Sequence, residues 1–295
     1  MLLVEGTGSE IIEGFRLRGL LHPGQNSQVY EVVEVTSNRH FAMKLLLPEN
    51  ARNTEHRKFL FHEALVGKEM SHPNIIRIVK VSRSLVTPFI VMEFFPAGSL
   101  RARLLQKNTE FIEQHLQSIL KQAATGLAFM NSSGWVHRDV KPDNILVNAS
   151  GDVRLIDFAL SCRIVTGLAK IFHKKQAMGT RSYMSPEQIR GQPLDGRADI
   201  YSFGITCYEL ATGRPPFRGL SAQDLLQKQI MEKPVSPKNY NSNLTDDYCN
   251  IVMHMLQKKK EDRPKDFHDV LMALRSIRIY KEERKPADGE GAVGR

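Results

Sequence analysis

The chain has 295 residues and a formal charge of +9, and its 41% hydrophobic and 25% charged residues are typical of a globular protein. No run approaches the ~18 apolar residues of a membrane span, the acidic N-terminus is unlike a signal peptide, and no nucleic-acid-binding pattern accompanies the positive charge. The three cysteines are far apart and predict neither a disulfide framework nor a zinc site, so we expect a cytoplasmic protein without a nucleic-acid partner.

The first third of the chain predicts strands and one helix. The segment NTEHRKFLFHEALVGKEM predicts a helix that begins at Asn53 or Thr54. Five short segments rich in Val, Phe and Leu predict strands, and they are FRLRGLL, QVYEVVEV, HFAMKLLL, NIIRIVKVS and PFIVMEFF.

From about residue 100 the pattern changes to helices. One helix should end at Gly134, and its apolar face comprises Leu116, Ile119, Leu120, Ala123, Leu127 and Met130. Further helices are predicted within 197–213, 246–260 and 267–280, the first of them apolar enough to be buried. Strands followed by helices predict an α+β chain with two lobes and a cleft for a ligand.

A predicted hairpin carries side chains suited to phosphate chemistry. Asp139 and Asn144 lie five residues apart in HRDVKPDNILV, and the turn NASGD leads into a returning strand that brings Asp157 beside them. Two carboxylates and a carboxamide can bind a hard cation such as Mg²⁺, and Lys141 adds a charge able to meet a phosphate.

Several motifs in order and spacing carry a resemblance to a known family. HRDVKPDN, IDFA, MSPE, ADIYSFG and DRP resemble the eukaryotic-type (Hanks-type) serine/threonine protein kinases, and the wording is most similar to bacterial members. The resemblance covers residues 12–280 and implies a bilobal kinase fold, with a five-stranded N-lobe (12–95) holding one main helix and a larger, mostly helical C-lobe (96–280). Residues 1–11 would form an extension and 281–295 a disordered tail.

The resemblance implies a role for each polar residue of the site. Asp139 should orient the acceptor hydroxyl and take its proton, while Asn144 and Asp157 should hold Mg²⁺, with Mn²⁺ as a substitute. Lys141 should meet the γ-phosphate of ATP. Lys44 should hold the α- and β-phosphates and form an ion pair with Glu63.

The same resemblance implies a nucleotide pocket and several architectural contacts. The residues expected around ATP are His22, Gly24 and Ser27 in the phosphate loop, then Val29, Ala42, Met92, Glu93, Phe95 and Leu146. Glu93 and Phe95 should offer backbone hydrogen bonds to the base. The expected architectural contacts are an ion pair of Glu187 with Arg263, bonds from Asp199 to the catalytic loop, and a bond from Thr180 near Asp139.

The sequence departs from the family pattern at four places. His22 and Ser27 replace glycines of the phosphate loop, which predicts a weaker grip on ATP. Ala159 replaces a glycine and should restrict rearrangement of Asp157. Gly67 should leave a gap that loosens the Glu63 helix, so that an activating partner or dimer is needed to seat it.

The fourth departure is the stretch before Gly179, which lacks Ser and Thr from residue 171 to residue 178 and leaves Thr166 and Ser161 as candidate phosphorylation sites.

Three functions remain open at this point. The first is a serine/threonine kinase acting on proteins, including itself, and the second is a pseudokinase that binds without turnover. The third is a small-molecule kinase, which the long segment ending in MSPE disfavours.

Overall fold

The computed structural model describes residues 10–164 and 178–282. Residues 283–295 of the predicted tail, residues 1–9 of the predicted extension, and Thr166 lie outside the described residues. Within the described ranges, none of the helices combines the length and the apolarity needed to cross a membrane.

An antiparallel sheet forms the N-terminal lobe, and all five predicted strands are present in it. A two-residue strand precedes them, so the sheet has six strands in the order β1-β2-β3-β4-β6-β5. The bounds are β1 Ile11–Ile12, β2 Phe15–Pro23, β3 Ser27–Glu34, β4 His40–Leu46, β5 Ile78–Ser82 and β6 Phe89–Glu93. Alternation along β4 explains the two-sided packing, because Phe41 and Met43 join a small apolar cluster on one face while Ala42 and Leu46 join the main core on the other.

Helix α1 (Thr54–Glu69) is the one long helix of this lobe. Asn53 is its N-cap, and its side-chain oxygen accepts from the backbone N–H groups of Glu55 and His56, which settles the choice between Asn53 and Thr54. The buried face of α1 includes Leu60, Ala64 and Val66 and also carries Glu63. The helix therefore brings a carboxylate into the cleft as a consequence of its apolar packing.

The C-terminal lobe is mostly helical, as predicted. Its helices are α2 Leu100–Leu105, α3 Thr109–Ser132, α4 Pro186–Ile189, α5 Gly196–Thr212, α6 Ala222–Met231, α7 Asp246–Met255 and α8 Phe267–Ser276. All six residues of the predicted α3 face are buried, and Gly134 follows the helix with a left-handed φ of +82°. Helix α5 is buried from Ala198 to Ala211 and ends at Gly213, also left-handed.

Short strands at the junction of the lobes position the polar residues of the cleft. They are β7 Gly98–Ser99, β8 Trp135–Val136, β9 Ile145–Val147, β10 Val153–Leu155 and β11 Cys162–Arg163. The predicted hairpin is β9 with β10, with Leu146 opposite Arg154. Strand β11 pairs with β8, so the chain that follows Asp157 returns beside the chain that precedes Asp139.

Candidate active site

Asp139 lies at the centre of a small hydrogen-bond network. One carboxylate oxygen, Oδ1, accepts from the backbone N–H of Thr180 at 2.8 Å, and the other, Oδ2, accepts from Lys141 Nζ at 2.7 Å. Lys141 Nζ also donates to the hydroxyl of Thr180 at 2.6 Å. These bonds hold Asp139 and Lys141 at one point and place Thr180 where the sequence analysis expected it.

The backbone around Asp139 is held by a second, buried carboxylate. Asp199, from the first turn of α5, accepts from the backbone N–H groups of His137 at 2.8 Å and Arg138 at 2.9 Å. Burial raises the pKa of Asp199, and the hydrogen bonds donated to it act in the opposite direction. Arg138 itself has a left-handed φ of +69°, an unusual conformation for a bulky residue that these buried bonds hold in place.

Lys44 connects the upper lobe to Glu63 and Asp157. Its Nζ donates to Glu63 Oε2 at 2.6 Å and lies 3.5 Å from Asp157 Oδ1. Burial opposes the charge of Lys44, but the Asp157 and Glu63 carboxylates together raise the pKa of this lysine. Burial also raises the pKa of Glu63, to about 7, against the attraction of Lys44.

Asp157 and Asn144 offer oxygen atoms suited to a divalent cation. Asn144 Nδ2 donates to the backbone oxygen of Asp139 at 2.8 Å and to its Oδ2 at 3.1 Å, an orientation that turns Asn144 Oδ1 the other way. Although burial opposes it, the charge of Lys44 lowers the pKa of Asp157, so this residue is a carboxylate at neutral pH.

The donor set fits Mg²⁺, which takes few protein oxygens together with phosphates and water. Among residues 10–164 and 178–282, no group of three or more His, Cys, Asp or Glu side chains could hold a metal by itself. A cation between Asp157 and Asn144 would therefore need oxygen atoms from a bound nucleotide as well.

The residues expected around the base lie on both sides of the cleft. Ala42 pairs with Met92 across β4 and β6, and both are buried; Val29 lies on β3, and Leu146 on β9 below. The backbone N–H of Glu93 already donates to Arg77 O at 2.9 Å, so this N–H is not free to bond a base. Phe95 packs against the main core, with the Arg154 guanidinium 4.8 Å from its ring centre.

The phosphate loop is a tight turn at the end of the β2–β3 hairpin. Gly24 N–H donates to Ser27 O at 2.9 Å, and a Cβ at Gly24 would lie 2.4 Å from that oxygen. His22 is exposed and pairs with Val29 within the hairpin. Gly24 is therefore required by the close approach of Ser27, and the two substituted positions do not prevent the hairpin from forming.

The prediction of a gap beside Gly67 is wrong. A Cβ at Gly67 would lie 2.5 Å from Ile78 Cγ1 and 3.4 Å from Phe158 Cδ2, so neighbouring side chains already fill the space. Phe158 is fully buried, and its ring meets the His137 ring edge-on at 5.7 Å. The Glu63 helix packs closely here because glycine lets Ile78 approach its backbone.

The sequence analysis singled out Ala159 and Ser161 in the segment after Asp157. Asp157 takes the left-handed φ of +66°, whereas Ala159 is not among the described residues with positive φ, so alanine is tolerated there. Ser161 is 4% exposed, with its hydroxyl 3.5 Å from His137 O, which hides this candidate phosphorylation site. Arg138 is also buried and donates from Nη1 to Leu160 O at 3.2 Å.

The expected ion pair in the lower lobe is present. Arg263 Nη1 and Nη2 lie 2.7 and 2.9 Å from the two carboxylate oxygens of Glu187, and both side chains are almost completely buried. A charged pair of this kind joins α4 to the segment before α8 with two parallel hydrogen bonds.

A second network beside the site was missed by sequence reasoning. Arg101 in α2 donates to Glu209 Oε1 at 2.8 Å and to Asp143 Oδ2 at 3.2 Å, and the Tyr183 hydroxyl bonds both Arg101 and Glu209. Burial and the neighbouring Glu209 raise the pKa of Tyr183. Glu209, an acidic residue near the end of the largely apolar α5, was the signal that could have revealed the network.

Comparison with known proteins agrees with this geometry. The family model described as "Protein kinase domain" matches residues 15–273. A "Probable serine/threonine-protein kinase" of Clostridium perfringens is 33% identical over 255 residues, which cover 86% of this chain and 37% of the relative. Serine/threonine-protein kinase PknB of Mycobacterium tuberculosis is 29% identical over 261 residues, 87% of this chain and 42% of that protein.

A further relative in Corynebacterium efficiens, also described as a "Probable serine/threonine-protein kinase", is 31% identical over 80% of this chain and 36% of its own length. The chain thus spans about two fifths of the length of these curated relatives. The family match covers nearly all of the described residues, including both lobes and every polar residue of the cleft. The chain therefore belongs to the protein kinase domain family.

Proposed function

We propose that this chain is an ATP-dependent serine/threonine protein kinase, which transfers the γ-phosphate to hydroxyl groups of proteins, including its own. The observation that carries the proposal is the position of Asp139, bonded through its two oxygens to Thr180 and Lys141. The relatives named as serine/threonine kinases support the choice of acceptor. The three buried, unpaired cysteines fit the reducing cytoplasm that we propose as its location.

Each residue of the cleft has a task in this reaction. The acceptor oxygen forms a bond to the γ-phosphorus as the bond to ADP breaks, and the hydroxyl proton passes to Asp139. Lys141 and Lys44 stabilise negative charge on the phosphates, and Glu63 keeps Lys44 in place. Asp157 and Asn144 would hold Mg²⁺ or Mn²⁺, which neutralises phosphate charge when bound.

The test is the intact mass of the protein during incubation with Mg²⁺ and ATP, with a generic basic protein added as a second acceptor. We expect phosphate on serine or threonine, and we expect Asp139→Asn to slow its appearance by about 10³-fold, because the base is lost. Asp247→Asn, an exposed position in the first turn of α7, is the matched control and should transfer phosphate normally.

Other outcomes would support the alternatives. Absence of phosphate on both acceptors, with ATP still bound, would favour a pseudokinase with a scaffold role. Phosphate transfer to a small alcohol but to neither protein would favour a small-molecule kinase.

Omission of the divalent cation should abolish transfer, and Mn²⁺ should restore it in part if Asp157 and Asn144 hold the metal.

An activating partner or dimer that seats the Glu63 helix is a further proposal from the sequence. Because Ile78 fills the space beside Gly67, the proposal no longer has a gap to support it. The Lys44–Glu63 pair is also formed here within a single chain, so the proposal rests only on how well that pair persists in solution. Specific activity measured over a wide range of protein concentration tests it. A rise in activity with concentration would indicate a dimer, and a constant value would argue against one.

A further inference from the structure

A cluster of four side chains joins helix α1 to the chain that precedes Asp139 and to the chain that follows Asp157. It comprises His62 and Glu69 of α1, Trp135 of β8 and Arg163 of β11, and we refer to it as the Trp135 cluster. Trp135 is the only tryptophan of the chain and is 3% exposed. None of the four residues belongs to the set that contacts nucleotide, metal or acceptor in the proposed reaction.

Glu69 receives two hydrogen bonds on one oxygen. Trp135 Nε1–H donates to Glu69 Oε2 at 3.0 Å, and Arg163 Nη2 donates to the same atom at 2.7 Å. The Arg163 guanidinium also lies 4.2 Å from the centre of the Trp135 ring, a cation–π distance. Since Glu69 and Arg163 are 41% and 55% exposed, their ion pair alone should contribute little, and the bond from the buried indole is the stronger constraint.

His62 provides a second attachment. Its Nε2 lies 2.7 Å from Ser161 O, and because a carbonyl only accepts, the histidine carries its proton on that nitrogen and donates. The His62 ring also meets the Trp135 ring edge-on at 5.7 Å. His62 and Glu69 are seven residues apart, about two helical turns, so both attachments lie on the same side of α1.

Both ends of the cluster are adjacent to residues of the site. His62 precedes Glu63, whose carboxylate receives the bond from Lys44. Trp135 lies two residues before His137, and its carbonyl accepts from Asn131 Nδ2, which also donates to Asp199. Asp199 in turn holds the backbone of His137 and Arg138. The cluster thus connects α1 to the buried hydrogen bonds of Asn131 and Asp199, which also position the backbone before Asp139.

We propose that Trp135 and Glu69 are positioning residues, which hold α1 in the orientation that pairs Glu63 with Lys44. The proposal rests on the proposed kinase function for its catalytic consequence but concerns residues outside the reaction itself. In this arrangement, side-chain contacts that do not require phosphorylation connect α1 to the start of the segment after Asp157.

The kinetic test is a double-mutant cycle between the cluster and the ion pair. Glu69→Ala should lower kcat/KM for ATP by about fivefold, the factor expected for one hydrogen bond, and Glu69→Gln should restore most of it because its amide oxygen can still accept from Trp135. In a Glu63→Gln background, Glu69→Ala should cause no further loss. Trp135→Phe, which keeps a ring but lacks the donor, should behave like Glu69→Ala.

The matched control is Lys68→Ala, an exposed position next to Glu69 on α1, which should leave kcat/KM unchanged. An equal loss from Glu69→Ala in both backgrounds would show that the cluster only stabilises the fold and would overturn the proposal. So would the absence of any loss from Glu69→Ala and Trp135→Phe.

A second readout does not depend on turnover. Hydrogen exchange of the α1 amides around Glu63 should be faster in Glu69→Ala than in the unmodified chain or in Lys68→Ala, since a helix held at fewer points opens more often. Unchanged exchange would refute the positioning role even in a chain without kinase activity. Absence of transfer by the unmodified chain would instead count against the proposed function, and the exchange data would still decide this inference.

Discussion

The lower half of the site, around Asp139, and the upper half, around Gly24 and Lys44, differ in how they are held. Asp139 and the residues before it are bonded by Thr180, Lys141 and the buried Asp199. Gly24, in contrast, lies in an exposed hairpin turn with only two backbone bonds besides the strand pairing, from Gly24 N–H to Ser27 O and from Leu47 N–H to Asn26 O, and Lys44 depends on α1 through Glu63.

This difference assigns separate tasks to the two halves. Buried, hydrogen-bonded polar groups are costly to displace, so the geometry of phosphate transfer is built into the lower lobe. The Gly24 turn and the Lys44–Glu63 pair have fewer such bonds, so we expect the upper half to be the more adjustable part of the proposed site. Loss of two loop glycines, at His22 and Ser27, affects the adjustable half only.

The largest effect is expected in the C-terminal lobe, when the Glu187–Arg263 ion pair is removed. Arg263→Ala leaves the Glu187 carboxylate buried and unpaired, and the free energy of unfolding should fall by about 3–5 kcal/mol. Urea denaturation of the variant measures the loss, with the exposed Arg190→Ala as control. A loss below about 1 kcal/mol would mean that the lower half is less rigid than its bonds indicate.

Removal of the lysine should break the upper half without unfolding it. Lys44→Met should lower the rate of phosphate transfer by about 10²-fold, because one stabilising charge on the phosphates is lost. Initial rates at saturating ATP measure the change, and circular dichroism checks the fold. Transfer at an unchanged rate would show that another cation, not Lys44, stabilises the charge on the phosphates.

The same variant should acquire a characteristic pH dependence. Without Lys44, the pKa of the buried Glu63 should rise above its present value of about 7, while the unfolded chain keeps about 4.5. A carboxyl group whose pKa is raised by folding supplies stability that is present at low pH and lost as the pH rises through the folded-state pKa. Thermal unfolding of Lys44→Met between pH 5 and pH 8 should therefore show falling stability, more steeply than in the unmodified chain.

Gly67→Ala is predicted to disturb the packing of α1 against Ile78 of β5. The clash with Ile78 should cost about 1–3 kcal/mol, and the better helix propensity of alanine offsets about 1 kcal/mol of it. Denaturant unfolding should therefore show a net loss. Combination with Ile78→Ala, which removes the clashing atom, should cost less than the sum of the two single changes. A stabilised Gly67→Ala would restore the interpretation of a gap.

The smallest effect is expected at the phosphate loop. Gly24→Ala must move the Ser27 carbonyl, which a Cβ would approach to 2.4 Å, and the KM for ATP should rise by roughly fivefold, or about 1 kcal/mol. The melting temperature should hardly change because the hairpin is exposed. Gln25→Ala, at the exposed tip of the same turn, is the control. An equal rise in KM for both variants would indicate that the turn does not approach the nucleotide.

Most of the fold could be predicted from local sequence patterns. The five long strands, α1 with its cap near Asn53, the buried face of α3 and the apolar α5 follow from periodicity and capping residues. The two-residue β1 could not, since pairing of two residues depends on the neighbouring strand. In the site, the turn NASGD predicted the hairpin that returns Asp157 beside Asp139 and Asn144, and the structure contains that hairpin.

The sequence by itself determined which elements form and in which order, because periodicity and capping depend on residues close together in the chain. It indicated which distant polar residues meet at the cleft, such as Thr180 with Asp139, only through the resemblance of its motifs to a known family. Only the tertiary structure decided what surrounds them. Ile78 fills the space at Gly67, Arg77 uses the N–H of Glu93, and Trp135 reaches Glu69 across 66 positions of sequence. Local patterns specify which face of a helix or strand is buried, whereas the identity of the side chain packed against that face depends on how distant segments meet.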